Sequence, residues 1–158
     1  MGNYIQSLRG LIGHRKFIHP AARILIENEQ GEILLIRRKD TDQWGLIAGG
    51  LEEGEDISAC IKREVKEETG LILQHLQAIG LSTLPARESV TYPNGDQIQY
   101  FSVVFYSKEW KGKLLQETDE TREAQFFPID QLPPLPPNEF SSVEWLQKFK
   151  QERLFILE

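Results

Sequence analysis

The segment GGLEEGEDISACIKREVKEETGL, Gly49 to Leu71, constrains this chain most, because it joins a helical core stripe to a cluster of carboxylates. Ile57, Ile61 and Val65 recur at helical spacing and predict a buried stripe. Asp56 suits the N-cap, where its carboxylate meets unpaired backbone N–H groups and the positive end of the helix dipole. Gly70 suits the position just past the end, where a left-handed backbone carries no Cβ penalty. A helix turns about 100° per residue, so Glu64, Glu67 and Glu68 share a face roughly 100° wide. Lys62 and Lys66 project from nearly the opposite side and cannot neutralise it. Like charges at i,i+4 destabilise a helix by roughly 0.2–0.5 kcal/mol. A hard divalent cation taken up through oxygen ligands would offset that repulsion.

With 158 residues, 40% apolar and 27% charged, the chain reads as one globular domain, 1–158, with a sizeable core. A net charge of −6 gives no general nucleic-acid footprint, so DNA is not an expected partner. The lone Cys60 excludes an intramolecular disulfide and a multi-cysteine zinc site, which suits a reducing cytoplasm, the expected location. Its place beside Ile57 and Ile61 predicts a packed side chain, not a nucleophile. No apolar run approaches the ~20 residues of a membrane span, and no signal peptide is recognisable. Met1-Gly2 lacks the Ser or Thr at residue six that myristoylation requires; Gln6 stands there.

Around the central helix the pattern alternates between extended and helical. Residues 1–16 form an N-terminal extension in which Tyr4, Ile5, Leu8, Leu11 and Ile12 predict an amphipathic helix over 3–13. Strands are expected at 22–26 and 32–38 around the Asn28–Gly31 turn, and at 71–76, 78–81, 98–107 and 124–129, with a polar loop at 40–43 before Trp44-Gly45-Leu46-Ile47. Asn94-Gly95 marks a tight turn. The proline run 133–137 reads as a stiff connector, and Ser141-Ser142-Val143-Glu144, with capping-box spacing, opens a C-terminal helix within 138–158. The fold class is α/β, a single-domain sandwich with a mixed sheet.

The matched positions Gly49, Glu55, Arg63, Glu64, Val65, Glu67, Glu68, Gly70 and Leu71 resemble the Nudix box, position for position. The likeness extends more loosely to Arg37-Arg38, Trp44 and the run from Asp119 through Phe126-Phe127-Pro128 to Pro133. It implies a Nudix-type α/β/α sandwich that hydrolyses, with Mg2+ or Mn2+, the pyrophosphate of a nucleoside diphosphate linked to another moiety. ADP-ribose, nucleoside triphosphates and dinucleotide polyphosphates are the substrates implied. The chemistry of the residues agrees: the reaction is highly anionic, and helix-borne carboxylates can hold an ion that polarises phosphoryl oxygens.

By the resemblance, Glu67 and Glu68 are the main metal ligands, and Glu64 binds metal or acts on water. The Gly49 carbonyl adds a backbone ligand, Arg63 orients a carboxylate, and Glu55 buttresses the loop or contributes to the metal shell. Glu120 is the first candidate for a further carboxylate outside the box, with Glu123 second. Arg38 and Arg37 match phosphate-contacting positions, and Arg87, Tyr92 and Tyr100 lie where they could meet substrate. The catalytic set is thus Glu64, Arg63, Glu68 and Glu120. One departure stands out: Ile47-Ala48 replaces the usual Pro-Gly, and alanine resists positive φ, which predicts a slightly reshaped turn. Two rival readings are a Nudix-fold nucleotide sensor without hydrolysis and an RNA 5′-end pyrophosphohydrolase. No membrane partner is expected, and homodimerisation through the N-terminal helix or a sheet edge is left open by the sequence.

Overall fold

The computed structural model describes residues 3–158; the Met1-Gly2 motif lies outside the described residues. The chain opens with helix α1 (Asn3–Ile12), then strands β1 (Phe17–Ile26), β2 (Ile33–Arg38), β3 (Trp44–Gly45) and β4 (Ile47–Gly50). Helix α2 (Ile57–Thr69) follows, then β5 (Ile72–Leu73), β6 (Gln77–Ser82), the short α3 (Pro85–Glu88) and β7 (Ser89–Thr91). The last part comprises β8 (Gln97–Ser107), β9 (Trp110–Lys111), β10 (Thr121–Phe127), a 3-10 turn (Ile129–Gln131), α4 (Pro137–Glu152) and β11 (Ile156–Leu157).

The larger sheet has the order β11-β6-β8-β1-β4, with β7 also on β8. Its axis is the parallel pair β1/β8, in register from Phe17 opposite Ile98 to Ile26 opposite Ser107. β4 and β6 flank that pair antiparallel. A second, antiparallel sheet runs β10-β2-β3, and β5 pairs with β9. Alternation along β1 and β2 sorts their side chains into two cores, as a period of two requires. Ala22, Ile24 and Ile26, with Leu34 and Ile36, pack on Cys60, Ile61 and Val65 of α2. Leu25, with Ile33 and Leu35, packs on Val143, Trp145, Leu146 and Phe149 of α4. Sheet between helices is the expected α/β/α sandwich.

The ends of the elements depart from the sequence expectations in instructive ways. β1 starts at Phe17, ahead of Ala22, because Pro20 is tolerated there: β4 pairs only from Ala21 onward, opposite Gly50. The capping box at Ser141 does not form. α4 begins at Pro137, with proline in its first turn, and the Ser141 and Ser142 hydroxyls both donate back to the Asn138 carbonyl at 2.9 Å. Nor does the helix fill 138–158. It ends at Glu152, Arg153 takes a left-handed conformation, and Ile156–Leu157 turn back beside β6.

One ion pair lies wholly inside this frame. Arg23 of β1 makes a two-pronged contact with Glu88 of α3, at 2.8 and 3.1 Å, and donates to Ser142 of α4 at 2.7 Å. Ser102 of β8 donates to the same Glu88 carboxylate at 2.9 Å. Both charges are buried, so their partners are obligatory. Arg23→Ala should lower unfolding free energy by about 3–5 kcal/mol in urea melts, because Glu88 is then left buried and unpaired. A loss under about 1 kcal/mol would show that the pair does not hold these elements together.

Candidate functional site

The helix carrying the acidic cluster forms as its sequence requires. The Asp56 carboxylate accepts from the Ala59 N–H at 2.8 Å, and Gly70, at φ 75°, donates to the Lys66 carbonyl. Cys60, Ile61 and Val65 are buried. With that stripe pinned to the sheet, Glu64 turns its carboxyl toward Gly49 of β4 and Glu68 is buried, while Glu67 remains 60% exposed.

Arg63 is the hub of the cluster. Its Nε and Nη2 donate to Glu55 at 2.9 and 2.8 Å, Nη1 donates to Glu64 Oε1 at 2.6 Å, and Nη2 also reaches the Gly50 carbonyl at 3.2 Å. Glu67 is a weaker partner at 3.4 Å. Glu55 is held below the usual carboxylate range, chiefly by the Arg63 hydrogen bonds. Gly49 is required sterically, since a Cβ there would lie 2.1 Å from the Glu64 carboxyl. Ala48 sits in regular β4, opposite Arg23, and is not among the described residues with positive φ. The Ile47-Ala48 approach therefore needs no left-handed residue, and the expected reshaping has no cause.

Burial raises the affinity of Glu64 for a proton, and the Glu67 and Glu120 charges add to it against the pull of Arg63. Glu68 is pushed well above the normal range, first by burial and then by Glu64, with Glu120 adding to the effect. It is 2% exposed, and its Oε2 has no hydrogen-bond partner. Glu120 thus lies within electrostatic reach of both box carboxylates, whereas Glu123 faces Arg37 at 4.0 Å. Among the described residues, no three acidic, histidine or cysteine side chains form a ready-made metal cage. The buried, unpartnered Glu68 oxygen suits a hard cation taken up through oxygen ligands.

The basic candidates separate. Arg38 is anchored to the nearby Asp40 through two hydrogen bonds of 3.1 Å, and its charge is felt by Glu68. Arg37 pairs with Asp42 at 2.8 Å. Arg87 is drawn to Glu158, at 2.9 Å to both carboxylate oxygens, and lines a hollow with Trp145 and Ile156 away from the acidic cluster. Trp44 packs edge-on against Phe127. Tyr92 and Tyr100 share a 2.6 Å hydroxyl contact, and Tyr100 meets the ring of His19. Sequence reasoning missed three residues near the site: His19, Glu52 and Glu139. Gly50 gives the one recoverable signal, because a Cβ there would strike His19 Nε2 at 2.2 Å.

A family model described as the NUDIX domain matches residues 17–149. An ADP-ribose pyrophosphatase from Methanocaldococcus jannaschii is 36% identical over 132 residues, covering 80% of this chain and 73% of that protein. An NAD-capped RNA hydrolase from Pseudomonas aeruginosa is 31% identical over 115 residues; these cover 72% of this chain but only 37% of the longer relative. The crystal structure of a MutT NUDIX hydrolase from Burkholderia pseudomallei shares the fold at a TM-score of 0.68, with 24% identity over 82% of this chain and 98% of that one.

Glu139, at the start of α4, accepts from the Leu46 N–H at 2.7 Å, and burial pushes its carboxyl up to about 7 against the pull of that bond, Arg23 and Arg38. The unfolded chain releases this proton near 4.5 while the native state keeps it to about 7, so the group costs stability as pH rises between those values. Glu139→Gln keeps an oxygen for Leu46 and should gain stability over wild type across that window, by about 1–3 kcal/mol at pH 8. Denaturant melts at pH 5 and 8 measure this, and a difference that does not change with pH would contradict it.

Proposed function

The chain belongs to the NUDIX family of pyrophosphohydrolases, and we propose that it hydrolyses the pyrophosphate of a nucleoside diphosphate joined to a second moiety, with Mg2+ or Mn2+ as cofactor. The observation that carries this reading is Glu68: a buried Nudix-box carboxylate with an unpartnered oxygen, facing the charges of Glu64 and Glu120. Glu64, Glu67 and Glu68 would hold the ion, with the Gly49 carbonyl and Glu120 as contributors. Bound there, the ion would neutralise phosphoryl charge and lower the pKa of the attacking water.

The remaining roles fall to the chain's own groups. Arg63, fixed by Glu55, sets the orientation of Glu64, as outer-shell partners of metal ligands do. Arg38 has a side chain 38% exposed and supplies a planar fork for phosphate oxygens. Glu64 and Glu68 give up the protons that burial favours when a cation arrives, so binding weakens as pH falls. Retention of every box carboxylate argues for hydrolysis over a silent sensor.

ADP-ribose is the first substrate to test, given the name of the M. jannaschii relative. A second reading, hydrolysis at the pyrophosphate of an NAD-capped RNA 5′ end, draws support from the P. aeruginosa relative. ADP-ribose, NAD and NAD-capped RNA should be assayed side by side with magnesium, manganese and chelator. Turnover should appear only with metal. Glu68→Gln should lower it by on the order of 100-fold or more, while the metal-free melting temperature stays equal to or above wild type because a strained buried acid is removed. Wild-type turnover in that variant would sink the role given to Glu68.

A further inference from the structure

α1 precedes the stretch matched by the family model, yet it touches the turn that leads into the acidic helix. The backbone N–H of Tyr4, in its first turn, donates to Glu52 Oε2 at 3.0 Å. The positive end of the helix dipole reinforces that contact with a carboxylate. Glu52 in turn donates its own N–H to Glu55 Oε2 at 3.0 Å. Glu55 holds Arg63, and Arg63 holds Glu64 and the Gly50 carbonyl. A continuous line of hydrogen bonds therefore runs from α1 to the acidic face.

A second contact reaches the same turn by packing. The Tyr4 ring stacks on His19, with centroids 5.7 Å apart and planes 18° apart. His19 is 1% exposed, and neither ring nitrogen has a hydrogen-bond partner. Phe17 and Tyr100 close on it at 5.8 and 6.3 Å, and its imidazole backs directly onto Gly50. The far end of α1 is tethered too. Arg9 donates to the Gln97 carbonyl at 2.8 Å and lies over the Phe17 ring at 4.8 Å.

We infer that α1 is a brace for the metal-binding turn, with Glu52 and the His19–Tyr4 stack as positioning residues. The inference rests on the metal reading proposed above. Within the turn itself, backbone support is sparse: Gly54 is at φ 82°, and the local bond is Glu55 N–H to Glu52 carbonyl at 3.3 Å. Among the described residues, α1 buries Ile5 but contributes no side chain to either core cluster. Loosening it should therefore disturb ion binding far more than global folding.

The test is Mn2+ binding by electron paramagnetic resonance, beside kcat and melting temperature, on full-length wild type, Glu52→Ala, Glu52→Gln and Tyr4→Ala. Glu52→Ala and Tyr4→Ala should weaken Mn2+ binding by on the order of 10-fold, with melting temperatures close to wild type. Glu52→Gln keeps an acceptor for the Tyr4 N–H and should recover part of the loss. Wild-type Mn2+ affinity in both alanine variants would overturn the brace, as would a loss that only tracks a fall in melting temperature. Absence of bound Mn2+ in the wild type would instead overturn the metal reading and the brace with it.

Discussion

The interaction on which the site depends is the Arg63 guanidinium. A planar fork of five N–H donors can serve several acceptors in fixed directions, which a lysine ammonium cannot do. Here it ties the turn, through Glu55 and the Gly50 carbonyl, to the helix, through Glu64. The same cation has opposite outcomes on its two main partners. Glu55, which also accepts the Glu52 N–H, is held ionised. Glu64 receives a single Arg63 hydrogen bond, is buried more deeply beside like charges, and its pKa rises despite that bond. One arginine thus yields a strut on one side and a poised acid on the other.

The acidic cluster has a polar neighbour on the α4 side of the sheet. Arg23, Glu88, Ser102 and Ser142 close a buried network, and Glu139, within reach of Arg23 and Arg38, stands between it and Glu68. These carboxyls differ in the local partners they have. Glu88 has a two-pronged arginine and a serine, while Glu68 has an oxygen with none. Burial alone does not distinguish them, since both are almost wholly enclosed. The number of donors does, and it separates an acid that holds the fold from one left available for chemistry.

The central helix was legible in the sequence almost to the residue, because its information is local. Asp56, the Ile57-Ile61-Val65 stripe and Gly70 each act within a turn or two. The clustering of Glu64 with Glu68 followed from helical geometry, and the choice of Glu120 over Glu123 rested on the family pattern alone. What could not be read depends on contacts between distant segments. Pro20 marks a break until its neighbour across the sheet is known. Ser141-Ser142 mimic a cap until Pro137 starts the helix a turn earlier. Glu52 and Glu139 look like ordinary surface acids, and Arg87 like a substrate contact, until Tyr4, Leu46 and Glu158 are set beside them.

The parallel register of β1 with β8 bears on how the molecule is made. Phe17 meets Ile98, so the whole of Gly49–Leu71 lies inside the chain loop which that pairing closes. Non-local parallel pairing pays its loop-closure entropy before contacts return it, and such topologies fold slowly. The turn that the acidic helix faces is carried by β4, which pairs antiparallel with β1, Ala21 opposite Gly50, at a much shorter sequence separation than β8. The strand bearing the Gly49 carbonyl is thus fixed on a partner nearby in the chain, while the sheet around it closes through the slower long-range pairing.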